Sequence, residues 1–164
     1  EDRDFWLKAA EASREYLKQS CHSETGLSAE YAEYDGSPRF EEGHGDFYSD
    51  AYRVAFNIGL DSLWFNKDPW QQEEAYKLQK FFADKDEYTK YSIDGRELEK
   101  PDYLHYLGLK AANAAASLAG ENEFTEKYIR DFWETELRKD ERRYYDNFLY
   151  LFALLALSGN FRIY

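Results

Sequence analysis

Six helical stretches alternate in character along the 164-residue chain, and this alternation limits the fold more than any single motif. The first, Phe5 to Gln19, carries Phe5, Trp6, Ala9, Ala12 and Tyr16 at spacings of mostly three and four, the mark of an amphipathic helix. The second, Ser49 to Phe65, is apolar on most faces. Asn66-Lys67-Asp68-Pro69 then stops one helix and starts another, with Asp68 as N-cap and Pro69 at the first helical position. The third helix runs to about Asp84. A fourth follows Pro101 and runs to about Leu118, and Gly120 ends it. Its Ala111-Ala112-Asn113-Ala114-Ala115-Ala116 run has little side-chain bulk, so neighbouring helices can approach closely. Glu123 to Leu137 is amphipathic through Phe124, Tyr128, Ile129 and Phe132. Tyr144 to Leu157 is apolar almost all round and closes at Ser158-Gly159.

Helices one, three and five therefore have a charged face, whereas two, four and six are small or apolar on most faces. The links after one, three and five are longer than those after two and four. Asp35-Gly36-Ser37-Pro38 marks a turn in the first long link, and Tyr88 to Ile93 with Asp94-Gly95 suggests a small hairpin in the second. Alternating inner and outer helices suit an all-α toroid, in which one ring of helices is buried by another. Six helices supply about half of such a ring.

Charge and cysteine content exclude some classes of partner. The net charge of −12 would repel a phosphate backbone, so no nucleic acid is expected, and a neutral or cationic ligand suits the chain better. Cys21 is the single cysteine, which rules out an internal disulfide and a Cys-based zinc site. His22 and His44 lack metal-ligand spacing, and no metal or cofactor is expected. No apolar stretch is long enough for a membrane span. The chain contains no methionine, which suggests that it begins inside a longer gene product. Aromatics reach 19 %, and Tyr and Trp in polar company make platforms for the C–H face of a sugar.

One carboxylate stands out. In Gly45-Asp46-Phe47-Tyr48-Ser49-Asp50-Ala51-Tyr52-Arg53, Asp50 lies at the mouth of the second helix, with Arg53 at i+3 and aromatics on both sides. The residues alone allow two readings. Asp50 either caps its helix, as Asp commonly does, or it is an ionised base stabilised by the helix dipole and oriented by Arg53. Arg53 is a supporting residue, because guanidinium does not lose its proton.

The stretch "FYSDAYRVAFNIGLDSLWF" resembles the general-base segment of glycoside hydrolase family 8, in its reducing-end xylose-releasing exo-oligoxylanase branch. "GLSAEYAEYDGSP", "DYLHYLGLKAANAAASLAG" and "RRYYDNFLYLFALLALSGNFRIY" extend the similarity over essentially the whole chain. The resemblance implies an (α/α)6 barrel and hydrolysis with inversion, with residues 1–164 forming the C-terminal half of a single catalytic domain. It makes Asp50 the general base and places the general-acid glutamate in an N-terminal half that this chain does not contain. The chain alone is therefore expected to be inactive or nearly so, and to associate with a complementary chain.

The implied substrates are β-1,4-linked xylo-oligosaccharides, with xylose released from the reducing end. Tyr48, Tyr52, Tyr144 and Tyr145 become candidate sugar contacts. Leu104-His105 matches an element that closes the site around the reducing end in this branch, where proline usually follows histidine; here Tyr106 follows. The resemblance also favours a cytoplasmic location. The rival readings are a non-catalytic glycan-binding half-toroid and an endo-acting family 8 glucanase, xylanase or chitosanase.

Overall fold

The computed structural model describes residues 2–85 and 87–163; Glu1, Asp86 of the second long link and Tyr164 of the last quoted stretch lie outside it. Six α-helices form: α1 Arg3–Ser20, α2 Tyr52–Phe65, α3 Trp70–Ala83, α4 Tyr106–Ala116, α5 Thr125–Glu134 and α6 Arg143–Leu157. Among the described residues there are isolated bridge pairs but no strands, and no helix is long and apolar enough to cross a membrane.

The alternation read from the sequence has a direct physical counterpart. Helix α4 packs against α2 on one side and α6 on the other, while α3 backs α2 and α4, and α5 backs α4. The alanines of α4, which fill its second half from Ala111 to Ala116, are all buried. They permit a very close approach: a Cβ on Gly59 of α2 would lie 2.1 Å from the Ala115 carbonyl oxygen. Only glycine fits there. Helix α1 joins the others mainly by charge. Arg14 donates to both Asp61 carboxylate oxygens at 2.7 Å, and Lys18 pairs with Asp68 at 2.7 Å.

Several helix ends differ from the sequence reading. The second helix opens with a 3-10 turn, Ser49–Ala51, before α2 proper begins. Asp68 does cap α3, accepting the Trp70 amide at 3.1 Å. Helix α4 does not follow Pro101 directly but begins five residues later, at Tyr106. Residues 101–105 stay outside the helix because side chains from elsewhere take two of their carbonyls: the Tyr48 hydroxyl donates to Tyr103 O, and Arg138 donates to Leu104 O at 2.8 Å. Helix α5 is shorter than expected at both ends. Asn122 caps its start through the Phe124 amide at 2.9 Å, and the Thr135 hydroxyl turns back onto Asp131 O at its end.

The two long links, 21–48 and 84–105, pack on one another. Phe47 and Tyr91 exchange backbone hydrogen bonds at 2.7 and 3.2 Å. The small hairpin expected near Asp94-Gly95 is present as a tight turn, with Tyr91 bridged to Glu97. Cys21 is buried, as a lone cysteine commonly is.

Candidate active site

Antiparallel helices joined in sequence place every outer-to-inner link at one end of the molecule. The starts of α2, α4 and α6 therefore meet there, and three contacts fix them together. The Tyr145 hydroxyl at the start of α6 donates to the Ser49 carbonyl before α2, at 2.6 Å. Asp146 Oδ1 accepts the Gly108 amide in the first turn of α4, at 2.8 Å. The rings of His105 and Tyr145 lie 4.6 Å apart. Three helix N-termini converge, and their free amide hydrogens favour negative charge nearby.

Asp50 sits in this cluster, in the 3-10 turn ahead of α2. Among the described residues its carboxylate makes no capping hydrogen bond. Instead Oδ1 pairs with Arg53 at 2.8 Å, and the two side chains are 38 % and 51 % exposed. The capping task falls to a residue far away in sequence. Glu30, in the first long link, accepts the Asp50 amide and the Ser49 hydroxyl on one oxygen, both at 3.1 Å. Its second oxygen lies 3.0 Å from His44 Nδ1. Of the two roles the sequence allows Asp50, the structure gives capping to Glu30. The Asp50 carboxylate is left accessible and is directed by the Arg53 guanidinium.

The other expected contacts divide into rim and interior. Tyr48 and Tyr145 are half-buried at the mouth of the cluster. Burial pushes the Tyr48 phenol up to about 12 and the Tyr145 phenol higher still, so both remain protonated hydrogen-bond donors near neutrality. Tyr144 is exposed and packs with a tilted ring against Phe148 in the next turn of α6, with ring centroids 4.8 Å apart. Tyr52 is different: at 1 % exposure it is a core residue, packed against Phe47 with centroids 5.2 Å apart. Buried at the start of α2 beneath Phe47 and Tyr48, its ring offers no surface to a ligand.

His105 occupies the N-cap position of α4, but its side chain makes no capping hydrogen bond and is largely buried. Its ring lies between Tyr103 and Tyr145, and its Nδ1 is 3.3 Å from Asp146 Oδ2. Asp146 is fully buried and also pairs with Arg138, whose side chain is itself largely buried. The carboxylate thus joins the starts of α4 and α6 to the α5–α6 link. Nearby, the Arg142 guanidinium lies 3.4 Å above the Tyr103 ring. Sequence reasoning missed Glu30, Asp146, Arg138, Tyr103 and Arg142. For Asp146 a signal existed: an acid inside a helix otherwise apolar almost all round. For Glu30 there was none.

A cleft of about 660 Å³ opens beside the cluster, between Tyr48, Tyr103, Lys90 and the 98–102 segment. A larger, more apolar groove of about 800 Å³ lies elsewhere, between α1 and the 66–69 link, lined by Trp6, Leu7, Arg14 and Phe65. Among the described residues, no group of three or more His, Cys, Asp or Glu side chains converges as a metal site would require.

Comparison with known proteins supplies the family. The model of glycosyl hydrolases family 8 matches residues 2–159. Over 169 residues the chain is 53 % identical to the reducing-end xylose-releasing exo-oligoxylanase of Paenibacillus barcinonensis, covering all of this chain and 44 % of that protein. Over 167 residues it is 56 % identical to the corresponding enzyme of Halalkalibacterium halodurans, covering all of this chain and 43 % of that protein. A crystal structure of a reducing-end xylose-releasing exo-oligoxylanase superposes with a TM-score of 0.96 at 57 % identity, over 99 % of this chain and 43 % of that one. The chain thus spans less than half the length of the relatives it matches, and its six helices make up about half of an (α/α)6 barrel. By fold and by sequence along nearly its full length, the chain belongs to glycosyl hydrolases family 8.

Proposed function

We propose that the chain is the C-terminal half of an inverting glycosidase that acts on β-1,4-linked xylo-oligosaccharides and releases xylose from the reducing end. The observation that carries this reading is the state of Asp50: released from capping by Glu30, paired with Arg53, and open at the end where α2, α4 and α6 begin. Inversion needs two carboxyl groups about 6.5–9.5 Å apart, with room for a water between base and sugar. Asp50 is the base. It takes a proton from that water as the oxygen attacks the anomeric carbon, and the glycosidic bond breaks as the leaving oxygen is protonated. Glu30 does not serve as the acid, because it is 5 % exposed and both its oxygens are engaged within the fold. The acid comes from the amino-terminal half of the barrel.

Tyr48, Tyr144 and Tyr145 flank the sugar. His105, held through Nδ1 by Asp146, presents its Nε2 edge toward the reducing-end residue. Tyr106 in place of proline is compatible with this, because it occupies the first helical position of α4, where proline is favoured only for its fixed φ and missing N–H. The preceding loop is held by Tyr48 and Arg138 instead. Both flanks of the half-ring carry exposed apolar side chains, Phe5, Trp6 and Leu7 on α1 and Phe148, Leu151 and Phe152 on α6. These flanks are where the complementary half docks.

The test combines the chain with the amino-terminal half and assays xylo-oligosaccharides. Single xylose released from reducing ends, with inverted anomeric configuration, is the expected product. Mid-chain fragments would make the enzyme endo-acting, and bound sugar without turnover would make the chain a glycan-binding module.

A further inference from the structure

The peptide unit that joins Ser49 to Asp50 is gripped at both of its polar ends. Its carbonyl accepts the Tyr145 hydroxyl at 2.6 Å, and its N–H donates to Glu30 Oε1 at 3.1 Å. The two grips come from distant parts of the chain and act on opposite edges of the peptide. Glu30 is itself clamped. Its amide donates to Asp46 O at 3.0 Å, the next amide donates to His44 O at 3.0 Å, and its second carboxylate oxygen faces His44 Nδ1. The His44 ring is in turn stacked on Tyr31 at 4.3 Å. Turning the peptide plane would break both grips together, and the direction of the Asp50 Cα–Cβ bond follows that plane.

We infer that Glu30 is a positioning residue for the general base: with Tyr145 it fixes the peptide before Asp50 and so aims the carboxylate at the attacking water. This rests on the reading of Asp50 as the base. A base displaced by even 1 Å loses much of its effect, since catalytic groups work only near their productive geometry. The local alternative, in which Asp50 would satisfy its own helix start, would turn the carboxylate inward and spend it on backbone amides. Glu30 removes that competition.

The test uses the chain assembled with its amino-terminal half. Glu30→Gln keeps an oxygen acceptor for Ser49 and Asp50 and should retain kcat to within about threefold. Glu30→Ala should lower kcat by about tenfold to a hundredfold at nearly constant KM. Glu30→Asp, which keeps the charge but withdraws it by one methylene, should behave like Glu30→Ala and serves where the alanine variant folds poorly. In an Asp50→Asn background, Glu30→Ala should change the residual rate by less than about twofold, because its effect passes through Asp50. An equal loss for Gln and Ala, or an undiminished loss in the Asp50→Asn background, would overturn the inference. Hydrogen exchange at the Asp50 amide separates this from the base assignment: Glu30→Ala should deprotect that amide whether or not Asp50 is the base. An amide that stays protected removes the clamp; full activity in Asp50→Asn removes the base assignment instead.

Discussion

Asp146 Oδ1 accepts the Gly108 amide at 2.8 Å, tying the first turn of α6 to the first turn of α4 through a carboxylate with no solvent exposure. Its other oxygen meets Arg138 and His105. A buried carboxylate with this set of partners is costly to remove, because the Gly108 amide would lose its acceptor and the largely buried Arg138 would keep only the more exposed Asp140 as counter-ion. Asp146→Ala should cost about 3–5 kcal/mol, read from urea unfolding. A loss below about 1 kcal/mol would mean that water replaces the carboxylate freely.

Asp50→Asn should behave in the opposite way. The Asp50–Arg53 pair is largely exposed, and the helix start is capped by Glu30, so stability should change by less than about 1 kcal/mol. Activity of the assembled enzyme should fall by several orders of magnitude. Retained activity with a large stability loss would return Asp50 to a structural role.

Gly59→Ala tests the close approach of α2 to α4. The new methyl would meet the Ala115 carbonyl at 2.1 Å, and backbone cannot swing aside as a side chain can. The helices would have to separate, at a cost of about 3 kcal/mol, seen as a lowered midpoint in thermal or urea unfolding. An unchanged midpoint would show that the interface slides without penalty.

Glu74 gives the chain a pH dependence. It is buried on α3, its Oε1 has no hydrogen-bond partner among the described residues, and Lys77 is 3.8 Å from the other oxygen. Burial outweighs that lysine and pushes the carboxyl from an ordinary 4.5 up to about 7. The folded chain therefore holds this proton more tightly than the unfolded chain. The site's contribution is most favourable below pH 4.5, declines as pH rises toward 7, and is flat above. The decline is on the order of 3 kcal/mol. Urea unfolding between about pH 5 and pH 8 should show the native chain losing stability relative to Glu74→Gln. Parallel curves for the two proteins would rule this out.

Legibility in the sequence followed the range of the interaction. The Asp50–Arg53 pair is one turn of helix and could be read from spacing alone. The layering of α2, α4 and α6 inside α1, α3 and α5 could be read from which stretches lack a charged face. The start of α4 could not, because Pro101 suggests a helix that begins at once, whereas the side chains of Tyr48 and Arg138 take the carbonyls of residues 103 and 104 and keep them out of the helix. The burial of Tyr52 escaped because Tyr48 and Tyr52 are alike in type, and only the packing of Phe47 separates their roles. Glu30 lies 20 residues before the amide it caps, in a link without periodicity, so nothing local marked it.

The Ser49–Tyr145 hydrogen bond spans 96 residues. Contacts so distant along the chain close late in folding, after nearer ones have formed. The pocket that holds Asp50 therefore cannot take its final shape until the last helix has docked, and a molecule cut short before Tyr145 would present its carboxylate on an unanchored turn.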